Sequence, residues 1–426
     1  MRPKRSLLPD QPTLDQWLVY QQQLHPQDIE LGLARVQQVA ERLGLGPADC
    51  PRIVVAGTNG KGSSIAMLAS IYSAAGYRVG CYTSPHITHY CERLQIDGAP
   101  VSEQTFCEAF GEIERLRGEV ELTYFEFGTL AALLILAAEN IDIQLLEVGL
   151  GGRLDAVNIV DSDVALITQI AIDHCDWLGN TRDLIGVEKA GIMRSGRPCV
   201  CADPALPPSM VNHAADIGAV LYRSGIDFDY SVDIELPNWT WRSVDTALQS
   251  LSRPGLKGDY QLQNGAAVLE VVRLLQNRLP VSTPQLMVGL EKVHLAGRFE
   301  VRGNNPQWVL DVAHNPQACA VLAENLASSE ISGRRIAVLG MLEDKNISAS
   351  IRPLLDLIDC WFLARIDQPR GATKEVLQQS LLGLGCQKQA VLCLSLVEAI
   401  RMAGEAAQQG DQIVVFGSFH TVAAAG

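Results

Sequence analysis

Lys61 lies in Gly57-Thr58-Asn59-Gly60-Lys61-Gly62-Ser63, directly after the apolar run Ile53-Val54-Val55-Ala56 and just before Ile65-Ala66-Met67-Leu68. Strand, glycine loop, lysine and helix in that order form a phosphate-binding loop. Backbone N–H groups at the helix N-terminus surround phosphate oxygens, and the lysine reaches the terminal phosphates. The match to G-x-x-x-x-G-K-[ST] is imperfect, since that pattern needs glycine at Val55 and a hydroxyl at Gly62. The usual magnesium-binding hydroxyl after the lysine is therefore missing, and a metal must find its ligand elsewhere. A plain glycine turn carrying a surface lysine is the bland alternative, and the flanking strand and helix argue against it.

Candidate metal ligands stand at the ends of other apolar runs. Thr83-Ser84-Pro85-His86 closes one, Glu147 closes Leu145-Leu146 ahead of a glycine-rich loop that reaches Asp155, and Asp173-His174-Cys175-Asp176 follows Ala165-Leu166-Ile167-Thr168. Ser84, Glu147 and His174 would meet at the carboxyl edge of a parallel sheet, where open α/β folds bind ligands. A hard cation bridging phosphates takes such oxygen ligands. Read alone, Ser84-Pro85 is a turn former and Glu188-Lys189 an exposed charged pair. Phe125 and Phe127 offer flat apolar faces to a ring, although aromatics that open a helix are more often core.

The elements that must position these residues appear as alternation. Strand-like runs at 52–56, 78–83, 143–148, 164–168 and 198–202 are separated by helix-length amphipathic stretches, which implies a mostly parallel sheet with helices on its faces. Between 225 and 258 the pattern shifts to short polar and aromatic alternation, read as antiparallel hairpins attached to the main sheet. Helical stretches at 260–277 and 283–290 follow, and 292–303 loses periodicity. A second series at 308–312, 335–340, 360–364, 390–394 and 412–417 reads as a Rossmann-like sheet. The expectation is an α/β protein with a P-loop-containing, mostly parallel sheet domain at 1–295 and a smaller Rossmann-like α/β domain at 296–426.

Composition removes other classes. With 48 Asp and Glu against 34 Lys and Arg, the net charge of −14 suits neither a nucleic-acid backbone nor an anionic membrane. The longest apolar run, 130–138, is about nine residues where a span needs about 20, and no apolar region follows Arg2, Lys4 and Arg5. Eleven cysteines, an odd number without CxxC spacing, point to a reduced, cytoplasmic protein.

Seven motifs occur together and in order: Gly57-Thr-Asn-Gly-Lys-Gly-Ser63, Thr83-Ser-Pro-His86, Glu147-Val-Gly-Leu-Gly-Gly-Arg-Leu-Asp155, Asp173-His-x-Asp-Trp-Leu-Gly179, Glu188-Lys-Ala-Gly-Ile192, Gly297-Arg298 and Asp311-x-Ala-His-Asn-Pro316. Together they resemble the folylpolyglutamate synthases of the Mur ligase superfamily. His25-Pro-x-x-Ile29-Glu-Leu-Gly-Leu-Ala-Arg-Val36 resembles the bacterial bifunctional form, which also makes dihydrofolate from dihydropteroate. The resemblance implies an ATP-dependent ligase that adds L-glutamate to dihydropteroate and to reduced folates through an acyl phosphate. It implies ATP contacts from Gly57, Thr58, Asn59, Gly60, Lys61, Gly62, Ser63, Asn264, Arg298, Asp311 and His314, so from both domains, with 292–303 as hinge. Two magnesium ions are implied, one on Ser84 and Glu147 and the other on Glu147, His174 and an N-carbamylated Lys189, with K+ as a further candidate ion. Lys61, Lys189 and His174 are the implied catalytic residues. Asp28, Ile29, Glu30 and Leu31, with Thr123, Tyr124, Phe125, Glu126, Leu154, Asp155 and Ala156, are the implied pterin site. Small-molecule substrates are the expected partners of a monomer, with no nucleic acid and no membrane.

Two other readings share part of this machinery. A cell-wall amino-acid ligase would carry Gly-Lys-Thr/Ser in its loop and a separate uridine-nucleotide domain before it, for which the chain ahead of Gly57 is short. A non-catalytic nucleotide-binding regulator should have lost some of Ser84, Glu147, His174 and Lys189, and all four are present.

Overall fold

An apolar run without alternation, such as Ile53-Val54-Val55-Ala56, has to be covered on both faces, and a parallel sheet flanked by helices supplies that cover. The structure, a computed structural model, describes residues 8–25, 27, 29–232 and 238–426; Asp28 lies outside the described residues. The run is β1 (Arg52–Ala56), and all five of its residues are buried. It is followed by β2 (Val79–Tyr82), β3 (Leu94–Ile96), β4 (Ala99–Pro100), β5 (Ile143–Glu147), β6 (Val164–Ile167), β7 (Pro198–Cys201) and β8 (Val220–Arg223). These form one sheet in the order β4-β3-β2-β5-β1-β6-β7-β8. Pairing is parallel from β2 through β8, and β3 and β4 add an antiparallel edge.

The register decides where chemistry can happen. Val55 pairs with Glu147, Ala56 with Ile167, and Tyr82 with Leu146. Gly57, Ser84, Glu147 and Thr168 are thereby brought to one edge of four adjacent strands. The helix Lys61–Ala74 leaves this edge and packs against the helix Thr283–Lys292.

The aromatic insert corrects the expectation of hairpins attached to the main sheet. β9 (Phe228–Val232), β10 (Trp239–Ser243) and β11 (Ala247–Leu251) are antiparallel but form a separate three-stranded sheet. Its apolar face, with Phe228, Trp239, Trp241 and Leu251 buried, finds cover without joining the larger sheet; the Trp239 ring lies over Gly265 of the helix Tyr260–Leu275. Phe127 is also core rather than ring-binding surface. It is fully buried, with its ring centroid 5.5 Å from that of Phe110 and 6.4 Å from that of Trp17.

The second sheet comprises β12 (Glu300–Arg302), β13 (Gln307–Asp311), β14 (Arg335–Leu339), β15 (Cys360–Leu363), β16 (Gln389–Leu392) and β17 (Gln412–Phe416), in the order β12-β13-β17-β14-β15-β16. Only β12 is antiparallel. The chain divides into a unit of residues 1–254 and 262–293 and a unit of residues 255–261 and 294–426. A single cut at 295/296 does not foresee the allocation of 255–261 to the second unit. All eleven cysteines are free thiols, and no described helix is long and apolar enough to cross a membrane.

Gly289 sets the spacing of one helix pair: a Cβ there would lie 2.4 Å from the Ile71 Cα. Gly289→Ala is expected to lower stability by about 1 kcal/mol or more, because overpacking outweighs the roughly 1 kcal/mol that alanine gains in a helix. An unchanged urea midpoint would contradict this account of the packing.

Candidate active site

The glycine loop is shaped by what stands beside it. A Cβ on Gly57 would fall 1.7 Å from the Thr168 Oγ1, so the first loop residue has to be glycine. Thr168, fully buried at the end of β6, donates through that hydroxyl to the carbonyls of Asn59 (2.7 Å) and Ala56 (3.2 Å). Thr58 is tied to the same neighbouring segment, its N–H donating to the Gln169 carbonyl (2.8 Å) and its hydroxyl to that of Ala171 (3.0 Å). Gly60 caps the helix Lys61–Ala74 with φ of 93°, a left-handed backbone that favours glycine. Gly62 and Ser63 complete the first turn, and Lys61 Nζ donates to the carbonyls of Gly57 (3.1 Å) and Thr58 (3.3 Å). Asn264 stands over this turn: a Cβ on Gly60 would come within 2.6 Å of its Oδ1. The short side chains leave the positive end of the helix dipole open to an anion.

Glu147 is 5% exposed at the end of β5, and its Oε2 accepts the Ser84 N–H (3.2 Å). Two of the expected metal ligands are thus adjacent. His174 holds a left-handed conformation (φ 52°) at the start of the short helix Cys175–Leu178; its side chain is half-exposed, with Nε2 4.0 Å from Asp173. Among the described residues no three His, Cys, Asp or Glu side chains gather as a metal cage. That donor set fits magnesium, which keeps waters and binds through one or two carboxylates plus substrate phosphates.

The exposed-pair reading of Glu188-Lys189 is corrected. Glu188 turns outward to Arg153 (2.7 Å), while Lys189 is 3% exposed and makes no ion pair among the described residues. Neighbours on a helix point about 100° apart, so one can face water and the next the core. Burial, aided by Lys61, holds the Lys189 ammonium down to about 7, against the pull of Asp173 and Asp155. Gly152 allows the close approach, since a Cβ there would meet the Lys189 backbone at 2.9 Å. Asp155 is itself raised to about 6 by burial, opposed by backbone N–H groups, among them those of Leu150 (2.8 Å) and Val157 (2.9 Å).

Residues far apart in sequence meet beside this edge. The Gly32 N–H donates to the Leu154 carbonyl (3.3 Å), which joins the loop carrying Ile29, Glu30 and Leu31 to the segment carrying Asp155 and Ala156. Arg35 bonds the Glu30 carboxylate and reaches Glu126 (3.2 Å), and Glu126 closes a capping box with Thr123 at the start of the helix Tyr124–Ala138. Phe125 lies on Gly149, where a Cβ would be 2.6 Å from its ring. In the second unit Arg298, Asp311 and His314 form their own cluster. Arg298 sits over the Phe419 ring (5.4 Å), His314 Nδ1 is 2.8 Å from the Val312 carbonyl, and Asp311 accepts N–H groups from Phe299 and Ala313 (2.8 Å each). In the first unit Thr168, Arg35 and Arg93, whose carbonyl accepts the Thr83 N–H (2.8 Å), stand beside these segments without having been singled out from sequence. A hydroxyl directly after the apolar run Ala165-Leu166-Ile167 was the available signal for Thr168.

Two family models match the chain: the Mur ligase middle domain over residues 55–202 and the Mur ligase glutamate ligase domain over residues 297–419. A phosphate loop at the carboxyl edge of one sheet, followed by this second sheet, defines an ATP-dependent ligase of the Mur type. The dihydrofolate synthase/folylpolyglutamate synthase of Escherichia coli K12 is 42% identical over 96% of this chain and 94% of its own length. The chain belongs to the dihydrofolate synthase/folylpolyglutamate synthase family. The structure of E. coli FolC with DHPP and ADP superposes with a TM-score of 0.90 at 42% identity, covering 96% of both chains. A bifunctional folylpolyglutamate synthase/dihydrofolate synthase with Mn, AMPPNP and L-glutamate bound gives 0.88 at 44% identity, again over 96% of both.

Thr168→Val keeps the side-chain shape and removes both hydroxyl bonds to the loop. The expected result is a folded protein whose ADP affinity, read by calorimetry, falls about tenfold for the loss of a buried hydrogen bond or two. Unchanged affinity would contradict its role in shaping the loop.

Proposed function

We propose that the enzyme forms an amide between the amino group of L-glutamate and the carboxylate of dihydropteroate or of a reduced folate, at the expense of ATP. The observation that carries this reading is the convergence at one sheet edge of a phosphate loop, the Glu147–Ser84 pair and the 29–32 loop docked on Leu154. Relatives solved with ADP, with AMPPNP and Mn, and with DHPP or L-glutamate support it.

The chemistry explains the parts. A carboxylate resists attack by an amine, so its oxygen first attacks the γ-phosphorus and ADP leaves. The amine then attacks the acyl carbon, and phosphate departs with the original carboxylate oxygen. Two anions have to approach, and Lys61 with the N–H groups of the 57–63 loop offsets their repulsion and the charge that develops in transfer. Ser84 and Glu147 would hold one magnesium ion, and Glu147, His174 and Lys189 a second. Magnesium held there would offset the negative charge that gathers on the phosphate oxygens during transfer. Asn264 would orient the nucleotide from above Gly60, and Arg298, Asp311 and His314 are the proposed contacts from the second unit. Phe125, Asp155 and the 29–32 loop would hold the pterin; Asp155 keeps lone pairs beyond those its backbone donors use.

Lys189 is suited to N-carbamylation by its burial without an ion pair, because carbon dioxide adds to the neutral amine with loss of one proton and leaves a carboxylate able to meet a hard cation.

Phosphate release from ATP is expected only with glutamate and a pteroyl or folyl acceptor both present; equal turnover with a cell-wall nucleotide acceptor would contradict the assignment. Lys61→Ala should lose about 10²–10³-fold or more in turnover and remain folded. Arg298→Ala should raise the KM for ATP. Lys189→Ala should be inactive and partly restored by short carboxylic acids, and Lys189→Arg should be inactive without rescue. The amine is about half neutral at pH 7 and about one-tenth neutral at pH 6. At fixed dissolved carbon dioxide, reactivation of decarbamylated enzyme should therefore slow several-fold from pH 7 to pH 6. A pH-independent rate, or activity in the arginine variant, would overturn the modification.

A further inference from the structure

We infer that Arg93 is a receptor for the non-reacting carboxylate of a glutamyl group, placed between the Ser84 loop and the start of the helix Tyr124–Ala138. The inference rests on the functional reading above, because it takes its ligand from those substrates.

Arg93 is 8% exposed, and a buried guanidinium is ordinarily surrounded by acceptors. The other buried arginines among the described residues follow that rule. Arg52 bonds Gln144 and the Gly46 carbonyl, Arg117 bonds Glu114, Tyr20 and the Gly118 and Val120 carbonyls, and Arg335 bonds Gln412, Ser329 and the Leu326 carbonyl. Arg93 has one such bond, from its Nε to the His86 Nδ1 (2.9 Å). Among the described residues no carboxylate pairs with it, and its two terminal nitrogens donate to no protein atom without being sealed in the core. The adjacent acid, Glu92, is committed elsewhere: it accepts the N–H groups of Ile87 (2.7 Å), Thr88 (2.9 Å) and His89 (2.6 Å).

The group is nevertheless held rigidly. Its guanidinium carbon lies 5.3 Å from the Tyr90 ring centroid and 5.6 Å from that of Tyr124, while the Arg93 carbonyl accepts the Thr83 N–H (2.8 Å). Two aromatic faces and a histidine fix the plane of a fork whose open end has two donors left, the geometry that takes a carboxylate bidentately. Thr83 precedes Ser84, and Tyr124 lies between Thr123 and Phe125, so the guanidinium stands close to the segments that carry the proposed metal ligand and the proposed pterin contacts. His86 acts as a positioning residue for it.

Two substrates carry such a carboxylate, the incoming glutamate and the glutamyl tail of a folate. Dihydropteroate carries none beyond the one that reacts. Kinetics of Arg93→Lys and Arg93→Ala with each substrate separate the two sources. Loss of a bidentate charged contact should raise one KM about 10–100-fold and leave that for ATP within about twofold. A higher KM for glutamate with either acceptor identifies the incoming amino acid; a higher KM for tetrahydrofolate alone identifies the tail. Arg93→Lys keeps the charge and guards against misfolding of the alanine variant, whose defect methylguanidinium should partly rescue. Calorimetry with L-glutamate and tetrahydrofolate, with ADP and magnesium present, reads the contact without turnover. Binding through Arg93 without amide formation would overturn the functional reading alone. Turnover by the wild type, with both ligands held equally well by Arg93→Lys and every KM unchanged, would overturn this inference alone. Failure of the wild type to bind either ligand would overturn both.

Discussion

Parallel pairing of β1 with β5 and β6 is the constraint on which the site depends. Matching Val55 to Glu147 and Ala56 to Ile167 ends three strands level with one another, so the loop after each begins at the same edge. Backbone hydrogen bonds and continuous burial set that register, and a slip of one residue would send Glu147 to the other face of the sheet. Thr168 then reads the register directly. Its hydroxyl reaches across to the Asn59 carbonyl only while β6 ends beside β1, and Gly57 is glycine because that hydroxyl occupies the space a Cβ would need.

Positive charge gathers at this edge, and part of it lacks a carboxylate partner among the described residues. Lys61, the open helix N-terminus, Lys189 and Arg93 all stand near the edge, and neither Lys189 nor Arg93 has a carboxylate partner among the described residues. Nearby acids are occupied with backbone donors or outward partners: Asp155 with Leu150 and Val157, Glu92 with Ile87 to His89, Glu188 with Arg153. Such an arrangement costs folding stability and suits a surface that has to gather triphosphate and carboxylates in one place. It also explains why an acidic protein of net charge −14 can handle anionic substrates: local potential, not net charge, governs the approach.

What could be read from the chain follows what is local in it. The phosphate loop was legible because strand, glycines, lysine and helix are contiguous, and the α/β class because apolar runs alternate with amphipathic stretches. Which way adjacent charged residues face was not legible. Glu188 and Lys189 look like one exposed pair until Arg153, 35 residues earlier, draws the glutamate outward. The aromatic insert was read as antiparallel, but its separation into its own sheet depends on the fit of Trp239 over Gly265. Phe127 faces Trp17 and Phe110 in the core, whereas Phe125, two residues earlier, lies against Gly149. Arg93 gave no signal because a lone arginine after a glutamate is an ordinary surface pattern; its significance comes from burial and from the acceptors it lacks.

The central claim is that the acceptor carboxylate is phosphorylated before it meets the amine, at an edge built to bring two anions together. Dihydropteroate labelled with ¹⁸O in its carboxylate, incubated with ATP, magnesium and L-glutamate, tests this directly through the mass of the released phosphate. One ¹⁸O atom in each phosphate formed, in step with dihydrofolate, is the predicted result. Amide formation with unlabelled phosphate would contradict it.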